Sequence, residues 1–234
     1  MTSPLGLGIL GGTFDPVHQG HLDAAAAARA ALGLDRVVFM PAHVPPHRLQ
    51  PVASGYHRFA MVALALQDLA GCVVSDLELQ AAGPSYTAVT LRRLHARGFT
   101  PTQLFFITGI DAFAEIATWH DYPALLEAAH FVVISRPGYA REDLGAKLSG
   151  LGPRLVELDA PDAAHPLRAG ARHQTSIFLV TASTADVSAT EVRRRLATDE
   201  PLDAMTPEAV VRYARRHRLY AHTPSPADLL HDQD

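Results

Sequence analysis

The chain has 234 residues, of which 48% are hydrophobic and 19% charged, and its formal net charge is -4. That length can bury the core of one moderately sized domain, and the negative charge argues against a general binder of nucleic acid or anionic membranes. Cys72 is the only cysteine, which excludes a disulfide framework and a thiolate metal cage.

The sequence shows no targeting or membrane-spanning pattern. No stretch approaches the roughly 18 to 20 apolar residues that a membrane-spanning helix needs. The first residues lack the basic flank and the small-residue cleavage site of a secretory signal. We therefore expect a cytoplasmic protein without a membrane partner.

Short apolar runs alternate with longer helical patterns through the first 135 residues. The apolar runs that predict strands are 7–10, 37–40, 73–74, 104–107 and 131–134. The patterns that predict helices or helical turns are 20–32, 56–69, 86–97, 111–118 and 123–129. Continuous apolar strands separated by helices indicate a doubly wound α/β fold, in which helices cover both faces of a parallel sheet.

The pattern weakens after Pro137 and then resumes. Residues 138–175 are rich in Gly, Pro, Arg and Asp, which predicts a peripheral insertion. A strand at 177–180 and a C-terminal helical portion at 188–220 follow. We expect one domain over residues 1–220 and a frayed tail at 221–234.

A G-x-G-x-x-G pattern is formed by Gly6, Gly8 and Gly11. In a dinucleotide-binding fingerprint these glycines follow the first strand, whereas here the first two lie at its start or inside it. The acidic residue expected at the end of the second strand is also missing, since Met40 and Pro41 stand there. The pattern therefore does not support a nicotinamide-dependent dehydrogenase.

The segment 11–21, Gly-Gly-Thr-Phe-Asp-Pro-Val-His-Gln-Gly-His, is the stronger signal. Glycines directly after a strand let backbone N–H groups approach a ligand closely. His18 and His21 are three residues apart at the start of the next helix, so both imidazoles lie on one side of a positive helix end. The segment is typical of a nucleotide phosphate site, where either histidine could stabilise charge on phosphorus by donating an N–H or by carrying charge.

Two other interpretations of this histidine pair stay open. Histidines at this spacing can ligate a metal, although no carboxylate or third histidine follows at a fitting distance. A helix-capping role is also plausible for one histidine alone. It explains the whole eleven-residue segment less well.

A second polar segment opens the helix predicted at 188–197. Ser188 and Glu191 match a capping box, which is how many helices begin. Thr190 and Arg193 share a helix face, so a hydroxyl, free N–H groups and a guanidinium converge on a site fit for phosphate oxygens. The next two residues, Arg194 and Arg195, are expected to face solvent or to form ion pairs.

These two segments closely resemble the nucleotidylyltransferase superfamily, and most closely its bacterial nicotinate-mononucleotide adenylyltransferases. Four further stretches narrow the resemblance: 41–48, 84–87, 109–111 with Trp119, and 134–138. The resemblance covers roughly residues 7–136 and 177–220, and it implies a Rossmann-like nucleotidylyltransferase fold.

The resemblance implies that His18, His21 and Arg193 are catalytic. The histidine pair would hold the ATP phosphates and stabilise the pentacovalent α-phosphorus. The residues that it places around ATP are Gly12, Thr13, Phe14, His18, His21, Gly109, Asp111, Ile134, Arg136, Ser188, Thr190 and Arg193.

The resemblance also implies a mononucleotide site. Its residues are Gly12, Thr13, Phe14, His47, Arg48, Thr87, Trp119 and His120. Trp119 resembles the residue that stacks on the pyridine ring, although an unassigned tryptophan is more often a core or helix-end aromatic. Arg48 stands where the family usually has lysine, which keeps the charge and changes its geometry.

The implied reaction joins ATP to nicotinate mononucleotide, gives deamido-NAD and pyrophosphate, and uses Mg²⁺ brought with ATP. No protein metal ligand is predicted, and the sequence does not indicate an oligomeric state. Two alternatives remain: the same chemistry on another phosphorylated acceptor such as pantetheine phosphate, and a catalytically silent nucleotide sensor.

Overall fold

A computed structural model describes residues 6–45, 51–135, 150–158 and 174–221 of the chain. Within them lies one seven-stranded, fully parallel sheet with the strand order β3-β2-β1-β4-β5-β7-β6. The strands are β1 (Leu7–Gly12), β2 (Arg36–Pro41), β3 (Cys72–Val74), β4 (Leu104–Gly109), β5 (His130–Ser135), β6 (Leu155–Leu158) and β7 (Ile177–Thr181).

Helices connect the strands and extend beyond the last one. The α-helices among the described residues are α1 (Gln19–Leu32), α2 (Gly55–Leu66), α3 (Thr87–His95), α4 (Ile110–Phe113), α5 (Ala189–Ala197) and α6 (Glu208–Arg216). Short 3₁₀ helices lie at Pro101–Gln103, Ile116–Thr118, Ala124–Glu127 and Gly152–Arg154. None of the helices in these described ranges combines the length and hydrophobicity needed to cross a bilayer.

Each face of the sheet carries its own hydrophobic core. Side chains alternate along a strand, so Ile9 and Leu10 of β1 enter different cores. The Leu10 core includes residues of α1, α2, α5 and α6, whereas the Ile9 core includes residues of α3, α4 and the 3₁₀ helices Ile116–Thr118 and Ala124–Glu127. The predicted doubly wound α/β class is therefore confirmed, as is the C-terminal helical portion.

Strand β6 is an element that the sequence patterns did not predict. Residues 155–158 lie in the predicted peripheral insertion, yet they pair with β7, with Leu155 opposite Ile177, and form one edge of the sheet. Val156 and Leu158 pack against the Leu10 core, which stabilises the strand. Most of the predicted insertion and residues 222–234 of the predicted tail lie outside the described residues, and the domain boundaries stay a prediction.

The G-x-G-x-x-G glycines serve packing in and beside β1. A Cβ on Gly8 would lie 3.0 Å from side-chain carbons of both Leu34 and Val37, and a Cβ on Gly6 would lie 3.1 Å from Leu34. A Cβ at either position would be closer to these side chains than most packing contacts. The two glycines therefore let Leu34, just after α1, pack tightly against the backbone of the strand region. This agrees with the conclusion that the pattern is not a dinucleotide fingerprint.

The strand order reverses between β1 and β4, because the chain first builds outward to β2 and β3 and then returns to the other side of β1. In open parallel sheets this reversal leaves a crevice at the carboxyl ends of the two strands, where ligands bind. Here those ends are Gly12 and Gly109. The topology therefore points to the segments that follow these two glycines.

Candidate functional site

The segment after β1 turns so that the Phe14 ring packs against Gly12. Phe14 has a positive φ of 50° and is 1% exposed. A Cβ on Gly12 would lie 2.9 Å from the Phe14 ring, so glycine is required at this position. Gly12 therefore adds no side chain of its own at the crevice.

The two histidines meet at the start of α1. His18 is the N-cap residue and His21 stands three positions later, with 3.7 Å between their ring centroids. The His18 N–H donates to Nδ1 of His21 over 3.2 Å. Neutral His21 must therefore carry its proton on Nε2. The predicted placement of both rings on one side of the helix end is confirmed.

His18 is buried at the crevice and is electrically neutral at physiological pH. Burial lowers its pKa from the ordinary 6.5 to about 4, and its Nδ1 makes no hydrogen bond to any described residue. A buried polar atom normally has a partner, so this nitrogen is a candidate ligand contact. The sequence left two roles open for His18, donating an N–H and carrying charge. In the protein without ligand, its neutral imidazole fits the role of hydrogen-bond donor.

Helix α5 brings a second polar set to the same loop. Ser188 caps it, with Oγ accepting from the Glu191 N–H over 3.2 Å. Arg193 donates to the Asp15 carbonyl over 2.7 Å and to Thr190 Oγ1 over 3.2 Å. These bonds use two of the five N–H donors of the guanidinium. The predicted shared face of Thr190 and Arg193 is confirmed.

The other charged residues of α5 pair with one another. Both carboxylate oxygens of Glu191 accept bonds from Arg194, and one of them also accepts from Arg195. Arg194 further pairs with Glu200 at 2.6 Å. The predicted ion pairing of the two arginines is confirmed. Only the serine half of the predicted capping box is observed, because the Glu191 carboxylate is engaged by arginines one turn later.

The Asp15 carboxylate holds the loop from three sides. It is 4% exposed and accepts hydrogen bonds from the Val52 N–H at 2.7 Å, the Ala53 N–H at 3.1 Å and the Tyr220 hydroxyl at 2.7 Å. Burial and the bond to Asp15 raise the pKa of Tyr220. Sequence reasoning missed Tyr220, and nothing in its local pattern signals a contact with a residue so distant in the chain.

Arg58 is a second missed residue. Its guanidinium is buried and donates to three carbonyls, those of Thr13 at 2.6 Å, Ala42 at 2.6 Å and Ala53 at 3.2 Å. Burial lowers the pKa of Arg58, and the nearby Asp15 carboxylate partly offsets this effect. A signal was available, because Arg58 lies on the face of α2 that also carries the buried Met61, Val62 and Ala65.

The segments after β4 and β5 border the other side of the crevice. A Cβ on Gly109 would meet no atom within 4 Å, and Asp111 is exposed in the first turn of α4. Ile134 pairs with Gly109 across the strands, so the two strand ends lie together. The predicted Arg136 lies outside the described residues.

Thr87, Trp119 and His120 form a third group. Thr87 is the first residue of α3, so its N–H has no acceptor within the helix. Half-buried Trp119 sits edge-on to Phe106 with ring centroids 6.0 Å apart, and exposed His120 stacks on Tyr86 at 4.5 Å. The predicted His47 and Arg48 lie outside the described residues.

Residues 42–45 connect the histidine side to this third group. The Ala42 N–H donates to the Gly12 carbonyl over 2.9 Å, and the His43 N–H donates to Ser85 Oγ over 2.8 Å. Ser85 lies two residues before Thr87. The two groups therefore flank one short segment and belong to one site.

A metal site is not formed by the side chains of this region. Among residues 6–45, 51–135, 150–158 and 174–221, no group of three or more His, Cys, Asp or Glu side chains could hold an ion. The metal-binding interpretation of His18 and His21 needs at least a third ligand. The described residues supply none.

We expect His18 to make the free energy of unfolding depend on pH. Its pKa is about 4 in the folded protein and 6.5 ordinarily, so the unfolded chain binds more protons between these values. The free energy of unfolding should therefore fall by about 3 kcal/mol as the pH drops from 6.5 to 4. In His18→Asn, urea unfolding at several pH values should show that much less acid sensitivity.

His43→Asn is the control, since it makes the same substitution at an exposed histidine. Equal acid sensitivity in wild type and His18→Asn would show that His18 does not titrate as the burial requires.

The chain matches known proteins over most of its length. The Cytidylyltransferase-like family profile matches residues 9–195. A Shewanella sp. (strain MR-4) protein named "Probable nicotinate-nucleotide adenylyltransferase" is 39% identical over 92% of this chain and 98% of its own. A Roseiflexus sp. (strain RS-1) protein of the same name is 40% identical over 92% of this chain and 97% of its own.

The fold also matches a solved structure, that of Plasmodium falciparum nicotinic acid mononucleotide adenylyltransferase complexed with NaAD. The TM-score is 0.65 at 16% identity, covering 92% of this chain and 97% of that chain. At this identity the likeness concerns the fold alone. Profile, relatives and fold agree with the resemblance seen in residues 11–21 and 188–193. The chain belongs to the Cytidylyltransferase-like family and, within it, to the nicotinate-nucleotide adenylyltransferases, which are nucleotidyltransferase enzymes.

Proposed function

We propose that this enzyme transfers the adenylyl group of ATP to nicotinate mononucleotide in NAD biosynthesis, giving deamido-NAD and pyrophosphate. The observation that carries the proposal is the pair of histidines beside the crevice where the strand order reverses. Neutral His18 has a ring nitrogen without a partner among the described residues, and its ring lies tilted against that of His21 at a positive helix end. The names of the relatives support the choice of reaction.

The histidine side holds ATP in this proposal. His18 and His21 donate N–H groups to the phosphates, and Ser188, Thr190 and Arg193 bind the triphosphate from α5. The ribose lies against Gly109 and Asp111, and the adenine lies against Ile134 and Arg136. The backbone of Gly12, Thr13 and Phe14 lines both substrate pockets. The hydrogen bonds of Arg193 to Asp15 and Thr190 support this assignment, because they hold its guanidinium against the loop between β1 and α1.

The Trp119 side holds the mononucleotide. Trp119 stacks on the pyridine ring, and the N–H groups of Thr87 and His120 receive the nicotinate carboxylate. His47 and Arg48 lie near the mononucleotide phosphate. A neutral nicotinamide gains less from two N–H donors than a carboxylate does, which favours the acid over the amide.

The chemistry needs positioning and charge stabilisation rather than a protein nucleophile. A phosphate oxygen of the mononucleotide attacks the α-phosphorus of ATP in line and forms the new P–O bond. The bond from the α-phosphorus to the bridging oxygen breaks, and that oxygen leaves with pyrophosphate. N–H donors aimed at the α-phosphate stabilise the charge that develops there.

Mg²⁺ comes to this site with ATP in the proposal. Mg²⁺ retains much of its water and binds substrate phosphates readily. Since the described residues offer no carboxylate cluster, we assign no protein ligand to it. It neutralises phosphate charge while the side chains orient the two substrates.

The substrate is tested by pyrophosphate release from ATP and Mg²⁺. Nicotinate mononucleotide, nicotinamide mononucleotide and pantetheine phosphate are offered separately. We expect rapid release with the nicotinate acceptor alone, since two N–H donors suit a carboxylate. Release only with pantetheine phosphate would assign a different acceptor, and ATP binding without release on any acceptor would favour a nucleotide sensor.

Replacing His18 should slow the chemical step. We expect kcat of His18→Ala to fall by about 10²- to 10³-fold, the usual effect of losing one donor to a transition-state oxygen. His18→Asn keeps an N–H donor and should recover part of the rate. Circular dichroism should match wild type, and ATP affinity measured by calorimetry should fall far less than kcat. Wild-type turnover in a folded His18→Ala enzyme would contradict the assignment.

Replacing Trp119 should affect one substrate. Loss of ring stacking in Trp119→Ala should raise KM for nicotinate mononucleotide by about tenfold or more, whereas KM for ATP should change little. Trp119→Phe, which retains an aromatic face, serves as the matched control and should lie near wild type. Equal rises in both KM values would indicate general damage rather than a lost stacking contact.

A further inference from the structure

Glu78 is a buried carboxyl group to which the proposed mechanism gives no role. It is 7% exposed and lies in the turn between β3 and α3. Thr90 Oγ1 donates to Glu78 Oε1 over 2.6 Å, and the Ser85 side chain is near enough to the same carboxyl group to lower its pKa. Burying an acid costs free energy unless its oxygens are bonded, so both contacts matter to its placement.

Ser85 extends this contact to the segment that joins the two halves of the site. Its Oγ accepts from the His43 N–H over 2.8 Å, and its own N–H donates to the Val44 carbonyl over 2.9 Å. Since Oγ already accepts from the backbone, its proton is available for the Glu78 carboxyl. Ser85 is therefore bonded to residues 43–44 on one side and lies beside the Glu78 carboxyl on the other.

Thr90 extends the contact in the other direction, to the start of α3. Thr90 is 2% exposed and stands three residues after Thr87, so the two lie on one face of the helix about one turn apart. The carboxyl of Glu78 thus fixes the turn of α3 that presents the Thr87 N–H. It joins that turn to residues 43–44 without itself lying at the surface.

Burial also affects the ionisation of Glu78. Burial raises the pKa of Glu78, and the hydrogen bond from Thr90, the nearby Ser85 side chain and the charge of Arg93 act in the opposite direction. The carboxyl therefore takes its neutral form at higher pH than a surface glutamate.

We propose that Glu78 is a positioning residue for the acceptor: it holds the first turn of α3 and residues 43–44 in the arrangement that receives the nicotinate carboxylate. This inference rests on the proposed function. Glu78 touches no substrate and acts through Ser85 and Thr90. Its loss should therefore weaken acceptor binding while leaving the ATP half of the site, which is held by Asp15 and Arg58, unchanged.

The test compares KM values for the two substrates in the full-length enzyme. We expect Glu78→Ala to raise KM for nicotinate mononucleotide by about tenfold, and to change KM for ATP by less than about twofold. Glu78→Gln keeps the volume and an acceptor oxygen, and should restore most of the affinity. Asp76→Ala removes an exposed carboxylate from the same turn, and should behave as wild type.

A double-mutant cycle shows whether Ser85 transmits the effect. Ser85→Ala should raise KM for the mononucleotide as Glu78→Ala does, and the double variant should be no worse than the worse single one. If Glu78→Ala does not fold, Ser85→Ala and the isosteric Thr90→Val remove the same contacts without a large cavity. Each should raise the mononucleotide KM selectively.

Other outcomes overturn the proposal. Equal rises in both KM values, unchanged KM values, or additive effects in the double variant would show that Glu78 supports the fold alone. These results would leave the proposed function standing, provided that the wild-type enzyme uses nicotinate mononucleotide. A wild-type enzyme that does not use that acceptor would overturn the proposed function and this inference together.

Discussion

The buried carboxylate of Asp15 is the contact on which the geometry of this site depends. It fixes residues 52–53 and Tyr220, and its own carbonyl accepts from Arg193. A buried carboxylate is tolerated only when its oxygens are bonded, so these partners cannot separate without a large cost. The loop between β1 and α1 is thereby held in one conformation by segments from three distant parts of the chain.

The charge state of His18 follows from its burial at the start of α1. Burial depresses its pKa, and the imidazole is neutral at physiological pH. His18 therefore attracts anions as an N–H donor beside the helix end rather than through a fixed charge of its own. Donors of this kind need no reorganisation when charge develops on a ligand, which is the property that phosphoryl chemistry requires.

Residues 42–45 unite the two halves of the site. Ala42 is bonded to Gly12 and to Arg58, whereas His43 is bonded to Ser85. Two buried ionisable side chains thus brace this segment, Arg58 directly and Glu78 through Ser85. Neither lies at the surface of the crevice. Both act by fixing the segment. In the proposed reaction this would hold the two substrates at a set distance from each other.

The sequence by itself determined the doubly wound fold, the glycine turn after β1 and the shared side of His18 and His21, because each depends on residues close in the chain. Only the tertiary structure decided the rest. Strand β6 forms through pairing with β7, and Tyr220 acts through a contact with Asp15, 205 residues away. Such partners are set by how elements pack, and a linear pattern of residue types carries no record of that packing.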